Sequence, residues 1–135
     1  MSLHANRRLW QRHVLAENRR SIAGLLDTLC DEPMYVVMAT GQRHHGRHAV
    51  AAFYASLFEG VPDASFDLIA VFVGEEGVVE ESVLRGTHQG ALFGIPATGR
   101  VIELPLTIVF PMKDGHILGE RLYFDMDTLR SCLNA

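Results

Sequence analysis

The chain has 135 residues with a formal net charge of -4, and it is 48% apolar and 21% charged. That length suits one domain, residues 1–135, with a single core. The acidic balance argues against nucleic acid or an anionic membrane surface as a partner. No apolar run approaches the roughly 18 residues that span a bilayer, and Ser2–Arg8 lacks the apolar centre of a signal peptide. Cys30 and Cys132 lie far apart with no metal spacing, as free thiols of a reducing compartment do, so a cytoplasmic location is expected.

From Leu3 to Leu29 the pattern predicts helix, with Leu15, Ile22, Leu25, Leu26 and Leu29 on one stripe. The polar run Glu17–Ser21 marks a break, and Ser21 can cap a second helix. Asp31-Glu32-Pro33 ends the helical region. Met34–Met38 reads as the first strand and Thr40–Gly46 as a loop. His48–Phe58 returns to helical spacing, with Val50, Phe53, Tyr54, Leu57 and Phe58 on one face, and Glu59–Asp63 stops it. Strands follow at Phe66–Val73, Val78–His88, Val101–Pro111 and His116–Phe124. Lys113-Asp114-Gly115 between the last two is a strong hairpin signal. Asp127–Leu133 closes the chain as a short helix or tail. Helices first and antiparallel strands afterwards define an α+β class.

Strand alternation supplies the chemical clue. Ile102, Leu104, Leu106, Ile108 and Phe110 share one apolar face. In the next strand Leu118, Leu122 and Phe124 share a face with Glu120 among them. If the two faces line one interior, Glu120 is a carboxylate in an apolar setting. Desolvation there raises a carboxyl pKa, which suits a general acid or base near neutrality. The alternative is a Glu120 paired to an arginine or solvated at an edge. On the opposite faces, Glu103 and Arg121 are expected to pair. His13 and Glu17 stand four apart on the first helix and share a face, where His44 or His45 can join them. No third ligand stands at a telling spacing, so no metal and no cofactor is expected. His88 follows Gly86-Thr87 at a strand end, in reach of a pocket or of a structural hydrogen bond. The clusters Arg7-Arg8 and Arg19-Arg20 read as solvated helix face.

Arg85-Gly86-Thr87-His88-Gln89-Gly90 followed by Gly94-Ile95-Pro96-Ala97-Thr98-Gly99 resembles the SnoaL-like polyketide cyclases of the NTF2-like superfamily. The likeness extends to Asp114–Ile117, to Glu120–Asp125, and back to Pro62-Asp63, Phe53-Tyr54 and Gly46–Val50. It implies a cystatin-like, cone-shaped α+β barrel, with N-terminal helices packed on a strongly curved, mostly antiparallel sheet around a deep apolar pocket. It also implies a homodimer through the outer face of that sheet. Relatives include cyclases, isomerases, dehydratases, hydrolases and plain binding domains. Their recurring chemistry is proton abstraction beside a carbonyl without a cofactor. Ketosteroid isomerases of this superfamily carry an aspartate near the end of the first strand, where this chain has Val36–Thr40. The cyclases carry a histidine and an aspartate within Gly119–Leu122, where this chain keeps only Glu120 as an acid.

The expectation is a cofactor-independent, cyclase- or isomerase-type enzyme for a small apolar carbonyl compound. Glu120 and His88 are its candidate catalytic residues. His13, Glu17, Tyr35, Phe53, Tyr54, Leu106, Ile108 and Leu122 are its candidate substrate contacts. The alternatives are a non-catalytic ligand-binding domain with the same pocket, or a dimeric module whose interior is filled by Phe53, Tyr54, Phe58, Phe66, Phe72 and Phe93.

Overall fold

The structure is a computed structural model that describes residues 2–135. Helix α1 (Leu3–Asn18) starts at Ser2, whose hydroxyl accepts the Ala5 N–H at 3.0 Å. It buries Asn6, Leu9, Trp10, His13 and Ala16. Arg20 then takes the left-handed conformation, with φ +53°. The break falls where expected, and Ser21 caps α2 (Ile22–Leu26) by accepting the Gly24 N–H. The turn also resets the helical phase. Leu15 is therefore 48% exposed rather than part of the apolar stripe, and Leu29 belongs to a strand. Arg20 is not on a helix face: it reaches the Ala64 carbonyl and lies over the Phe58 ring.

Strand β1 (Leu29–Val37) begins five residues before the expected Met34 and includes Pro33. Its ladder to β6 is irregular between Leu29 and Met34, so the missing proline N–H costs no regular pair. The predicted loop Thr40–Gly46 contains a further strand, β2 (Gln42–His45), folded back on β1. Its sequence has no apolar alternation because it is an edge strand, where pairing rather than propensity decides. Helix α3 (Arg47–Gly60) buries Val50, Phe53, Tyr54 and Leu57. Then come β3 (Ser65–Gly74), β4 (Gly77–Thr87), β5 (Val101–Lys113), β6 (His116–Tyr123) and helix α4 (Met126–Leu133), capped by Asp125.

The six strands form one sheet in the order β2-β1-β6-β5-β4-β3. Among the described residues only β1 and β6 run parallel, and the edges β2 and β3 do not meet, so the curved sheet stays open. The β5–β6 hairpin turns through Asp114 and Gly115 with φ +51° and +80°, the double positive φ of a tight hairpin turn. Interior side chains Ile102, Leu104, Leu106, Ile108 and Phe110 of β5 are all buried, as the alternation requires.

In β6 the alternation breaks. Gly119 has φ +154°, and a Cβ there would overlap the Met34 carbonyl oxygen. The β5–β6 register also shifts between Val109 and Met112. This bulge puts Ile117, not Leu118, on the inner face with Glu120 and Leu122, and leaves Leu118 37% exposed. On the outer face Glu103 pairs at 2.8 Å with Arg85, which also binds Asp67. Arg121 stands opposite Val109, six residues along β5 from Glu103, which is why the expected Glu103–Arg121 pair does not form. No helix among the described residues is long and apolar enough to cross a membrane.

Candidate functional site

Register assembles the site. Tyr35 of β1 stands opposite His44 of β2 on one side and Glu120 of β6 on the other. Paired positions point to the same face of a sheet, so His44, Tyr35 and Glu120 form one inward row. One row along, Gln42, Val37, Leu122, Ile108 and Glu80 align in the same way. Helix α1 brings His13 and Trp10 onto these rows, and α3 brings Tyr54 and Phe53.

Glu120 is 3% exposed, and His13, Tyr35 and Tyr54 are at 1% or less. Tyr54 donates to Glu120 Oε2 at 2.7 Å, and His13 Nε2 meets the same oxygen at 2.9 Å. The Tyr35 hydroxyl bonds to that of Tyr54. At the far side of the imidazole, His13 Nδ1 meets Thr28 Oγ1 at 2.8 Å. Thr28 spends its single hydroxyl proton on the Leu25 carbonyl at 2.7 Å. His13 Nδ1 must therefore be the donor to Thr28. On the other side Tyr54 donates to Glu120, with its hydroxyl also 3.2 Å from His13 Nε2, so Tyr35 is the donor to Tyr54. His13 Nε2 and Glu120 Oε2, at 2.9 Å, need one proton between them, because two facing lone pairs would repel. Among the described residues every hydrogen bond to the Glu120 carboxyl goes to Oε2, which leaves Oε1 without a protein partner.

A second buried carboxyl flanks the first. Glu80 accepts from Trp10 Nε1 at 3.0 Å and from Ser82 Oγ at 2.5 Å. Burial pushes its carboxyl above the usual range, and the Ser82 and Trp10 hydrogen bonds offset part of that. Glu17, half-buried on α1, is pushed well up by burial first and then by the charges of Glu120 and Glu80. Burial, followed by the Glu120 charge, also drives the Tyr35 and Tyr54 hydroxyls well above the ordinary tyrosine range. Both tyrosines are thus proton donors at neutral pH. Among the described residues no lysine or arginine is buried to balance these acids. None of them forms a group of three or more His, Cys, Asp or Glu side chains placed to hold a metal.

The structure brings together Glu120, His13, Tyr35 and Tyr54, with Glu17 beside them. Leu106, Ile108 and Leu122 are buried in the surrounding core, and Phe53 packs edge-on against both tyrosines. His88 is elsewhere. It is fully buried one residue past the Thr87–Val101 pair, at the opposite end of β5 from the Ile108–Leu122 pair. Its Nδ1 meets Thr98 Oγ1 at 3.0 Å, and its backbone clasps Arg100 and Gly99. Thr87 beside it donates twice to Asp63, at 2.7 and 2.9 Å. Those hydrogen bonds hold the Asp63 carboxyl below the usual range. The Gly86–Gly99 motif therefore ties down the β4–β5 crossing. Thr28, Glu80 and Trp10 are the site residues that the sequence reading misses. Of these only Glu80 has a signal, the alternation Val78-Glu80-Ser82-Leu84. The proposed aromatic filling of the interior is corrected at Phe72, which is 59% exposed on the outer face.

A pocket of about 260 Å³ opens between α3, β2 and the turn at Leu92–Gly94. The Phe53 ring stands between it and the tyrosines. A larger, solvent-open hollow of about 1110 Å³ lies on the sheet around Phe72, Val79, Leu118 and Arg121, on the face away from the Glu120 group.

The comparisons with known proteins fit this architecture. The family model described as SnoaL-like polyketide cyclase matches residues 5–131. A SnoaL-like protein from Jannaschia sp. CCS1 is 22% identical with a TM-score of 0.88, over 98% of this chain and 93% of that one. A polyketide-cyclase-like protein from Xanthomonas campestris pv. campestris is 24% identical with a TM-score of 0.84, over 96% and 97%. A protein with a ketosteroid isomerase-like fold from Catenulispora acidiphila, solved with trimethylamine, is 14% identical with a TM-score of 0.77, over 93% and 92%. At these identities the structures speak for the fold, which is NTF2-like. No curated protein matches. With the family model spanning nearly its whole length, the chain belongs to the SnoaL-like polyketide cyclase family.

Proposed function

We propose that the chain catalyses proton transfer beside the carbonyl of a small apolar compound, without a cofactor, as in cyclase- or isomerase-type chemistry. The observation that carries this reading is Glu120, buried in an apolar interior with Oε2 held by Tyr54 and His13 and Oε1 free of protein partners. Glu120 is the base. The proton that His13 shares with it can return to the product. Tyr54 donates to Oε2 and Tyr35 to Tyr54, so the tyrosine pair orients the carboxylate for that transfer. Phe53 and the aliphatic rows exclude water. A second copy of the chain covering the outer face, where Phe72, Leu118 and Tyr123 are exposed, belongs to the same reading. Light scattering coupled to gel filtration would read that dimer directly.

The test needs no knowledge of the natural substrate. The α-protons of 2-tetralone exchange with D2O, and NMR reads the rate. Wild-type protein accelerates the exchange, and Glu120→Gln loses about 10²- to 10⁴-fold of that acceleration while keeping its fold. Equal rates for the two proteins would remove Glu120 from the chemistry.

A non-catalytic small-molecule-binding domain is the second reading. Glu120 and Leu122 themselves favour it, because they stand where the family resemblance implies a histidine and an aspartate. That a protein of this fold was solved with trimethylamine is compatible with it.

A further inference from the structure

The proton-transfer reading leaves one inward-facing group without a task. His44 is cross-strand from Tyr35, and its ring packs on Phe53 at 4.9 Å. Its Nε2 is sealed from solvent, and no group among the described residues hydrogen-bonds to it. A sealed ring nitrogen with no partner is unfavourable in either tautomer, since one has an idle N–H there and the other an idle lone pair. His44 is also a wall of the 260 Å³ pocket. Phe53, Leu57, Leu92 and Phe93 make most of the remaining wall apolar, and Ser56 adds a hydroxyl at the rim.

We propose that this pocket holds the distal end of the ligand, a one- or two-ring apolar molecule, and that His44 Nε2 hydrogen-bonds a neutral hydroxyl or carbonyl group on it. The volume sets the size, small beside the usual range of ligand pockets. The wall sets the apolar body. The single idle nitrogen sets one polar group. Burial lowers the His44 pKa, so the imidazole is neutral near pH 7 and offers no charge to a carboxylate or phosphate.

Position ties the pocket to the interior. Tyr35 is one strand from His44 and Glu120 is two, so the polar anchor and the base are on the order of 10 Å apart. Phe53 touches His44, Tyr35 and Tyr54 at ring distances of 4.9, 5.7 and 5.7 Å. Phe53 packs on the His44 ring and stands between the pocket and the tyrosines, so Phe53 is the residue that must turn, both to uncover the sealed Nε2 and to let a ring compound reach the tyrosines. That the far end of the ligand carries a reactive carbonyl rests on the proton-transfer reading, whereas binding at His44 does not.

The experiment compares 2-naphthol with naphthalene on the full chain by fluorescence titration. They share one ring system and differ in a single hydroxyl. Wild-type protein is expected to bind 2-naphthol about five- to tenfold more tightly, the value of one added hydrogen bond. His44→Phe keeps an aromatic wall without the nitrogens, so it is expected to abolish the preference and leave naphthalene binding unchanged. His44→Gln keeps a polar end and should retain part of the preference. Ser56→Trp, an exposed position on α3, fills the pocket and should weaken both ligands at least tenfold. Equal affinities in wild-type protein, no binding of either probe, a preference that survives His44→Phe, or binding indifferent to Ser56→Trp would each overturn the proposal. None of these bears on α-proton exchange. The His44 assignment can thus fail while Glu120 stands, and Glu120 can fail while naphthol discrimination stands.

Discussion

Among the described residues two histidines are almost completely buried, and they do different work. His13 has both ring nitrogens engaged, Nε2 with Glu120 and Tyr54 and Nδ1 with Thr28, and the Leu25 carbonyl fixes the direction of the Nδ1 bond. His88 has one nitrogen on Thr98 and none for the other among the described residues, and its backbone pins a loop crossing. Burial is equal in the two cases. What separates a candidate proton-transfer group from a structural one is an acidic partner and a relay, and only His13 has them. Sequence position alone favours His88, which lies within a recognisable motif, over His13, which lies in an unremarkable helix.

The largest expected effects fall on activity. Glu120→Gln should lose about 10²- to 10⁴-fold of the acceleration of α-proton exchange, while His88→Leu should exchange at the wild-type rate. A dead His88→Leu variant with a native circular-dichroism spectrum would break the contrast. Stability comes next. His13→Leu strands the buried Glu120 and should cost about 3–5 kcal/mol in urea denaturation. His88→Leu removes an idle nitrogen along with one hydrogen bond and should stay within about 1 kcal/mol of wild type. Equal losses in both would mean that the relay adds nothing to the fold.

A smaller effect is in the pH dependence. Glu17 and Glu80 keep protons in the fold that the unfolded chain releases near pH 4.3. Above that pH, up to their raised folded values, the native state binds more protons than the unfolded state, so these two groups make stability fall as pH rises. Asp63 and Asp125 have the opposite sign. Their hydrogen bonds from Thr87 and Thr128 hold them below the usual range, so their contribution is present above about pH 4 and lost on further acidification. Glu80→Gln should therefore flatten the decline that sets in above about pH 4.3 and leave the acid limb unchanged, as read by urea denaturation across pH. A variant curve parallel to wild type would show that Glu80 carries no such penalty. The smallest effect is on the hydroxyl relay. Tyr35→Phe removes one donor two bonds from Glu120 and should cost about 1 kcal/mol of stability and a modest part of the exchange rate.

The long strands and helices are legible because their periods run uninterrupted. The alternation from Ile102 to Phe110 holds over the whole of β5, and it places five side chains in the core correctly. The break at Ser21 is legible because a capping residue follows a polar run. Glu120 is legible for the same reason as β5. Leu118 is not, because the phase of β6 is reset by a bulge that depends on the close approach of Met34 on a strand some eighty residues earlier. β2 is not legible because an edge strand of polar residues carries no apolar signature. Without β2 there is no register to place His44, so its position beside Tyr35 follows only from pairing. Thr28 and Trp10 join the site through tertiary contacts that no local pattern encodes, whereas Glu80 is within reach of alternation read one strand further back.

The directed relay is the centre of this account, and His13 reports on it most directly. Nitrogen-15 NMR of the imidazole distinguishes a protonated from a bare ring nitrogen. The structure predicts that Nδ1 carries a proton in both the neutral and the cationic ring, because Thr28 can only accept. It also predicts that the Nε2 signal changes in Glu120→Gln while that of Nδ1 does not. A bare Nδ1, or an Nε2 signal indifferent to Glu120, would contradict the relay and with it the assignment of Glu120 as the proton-transfer group.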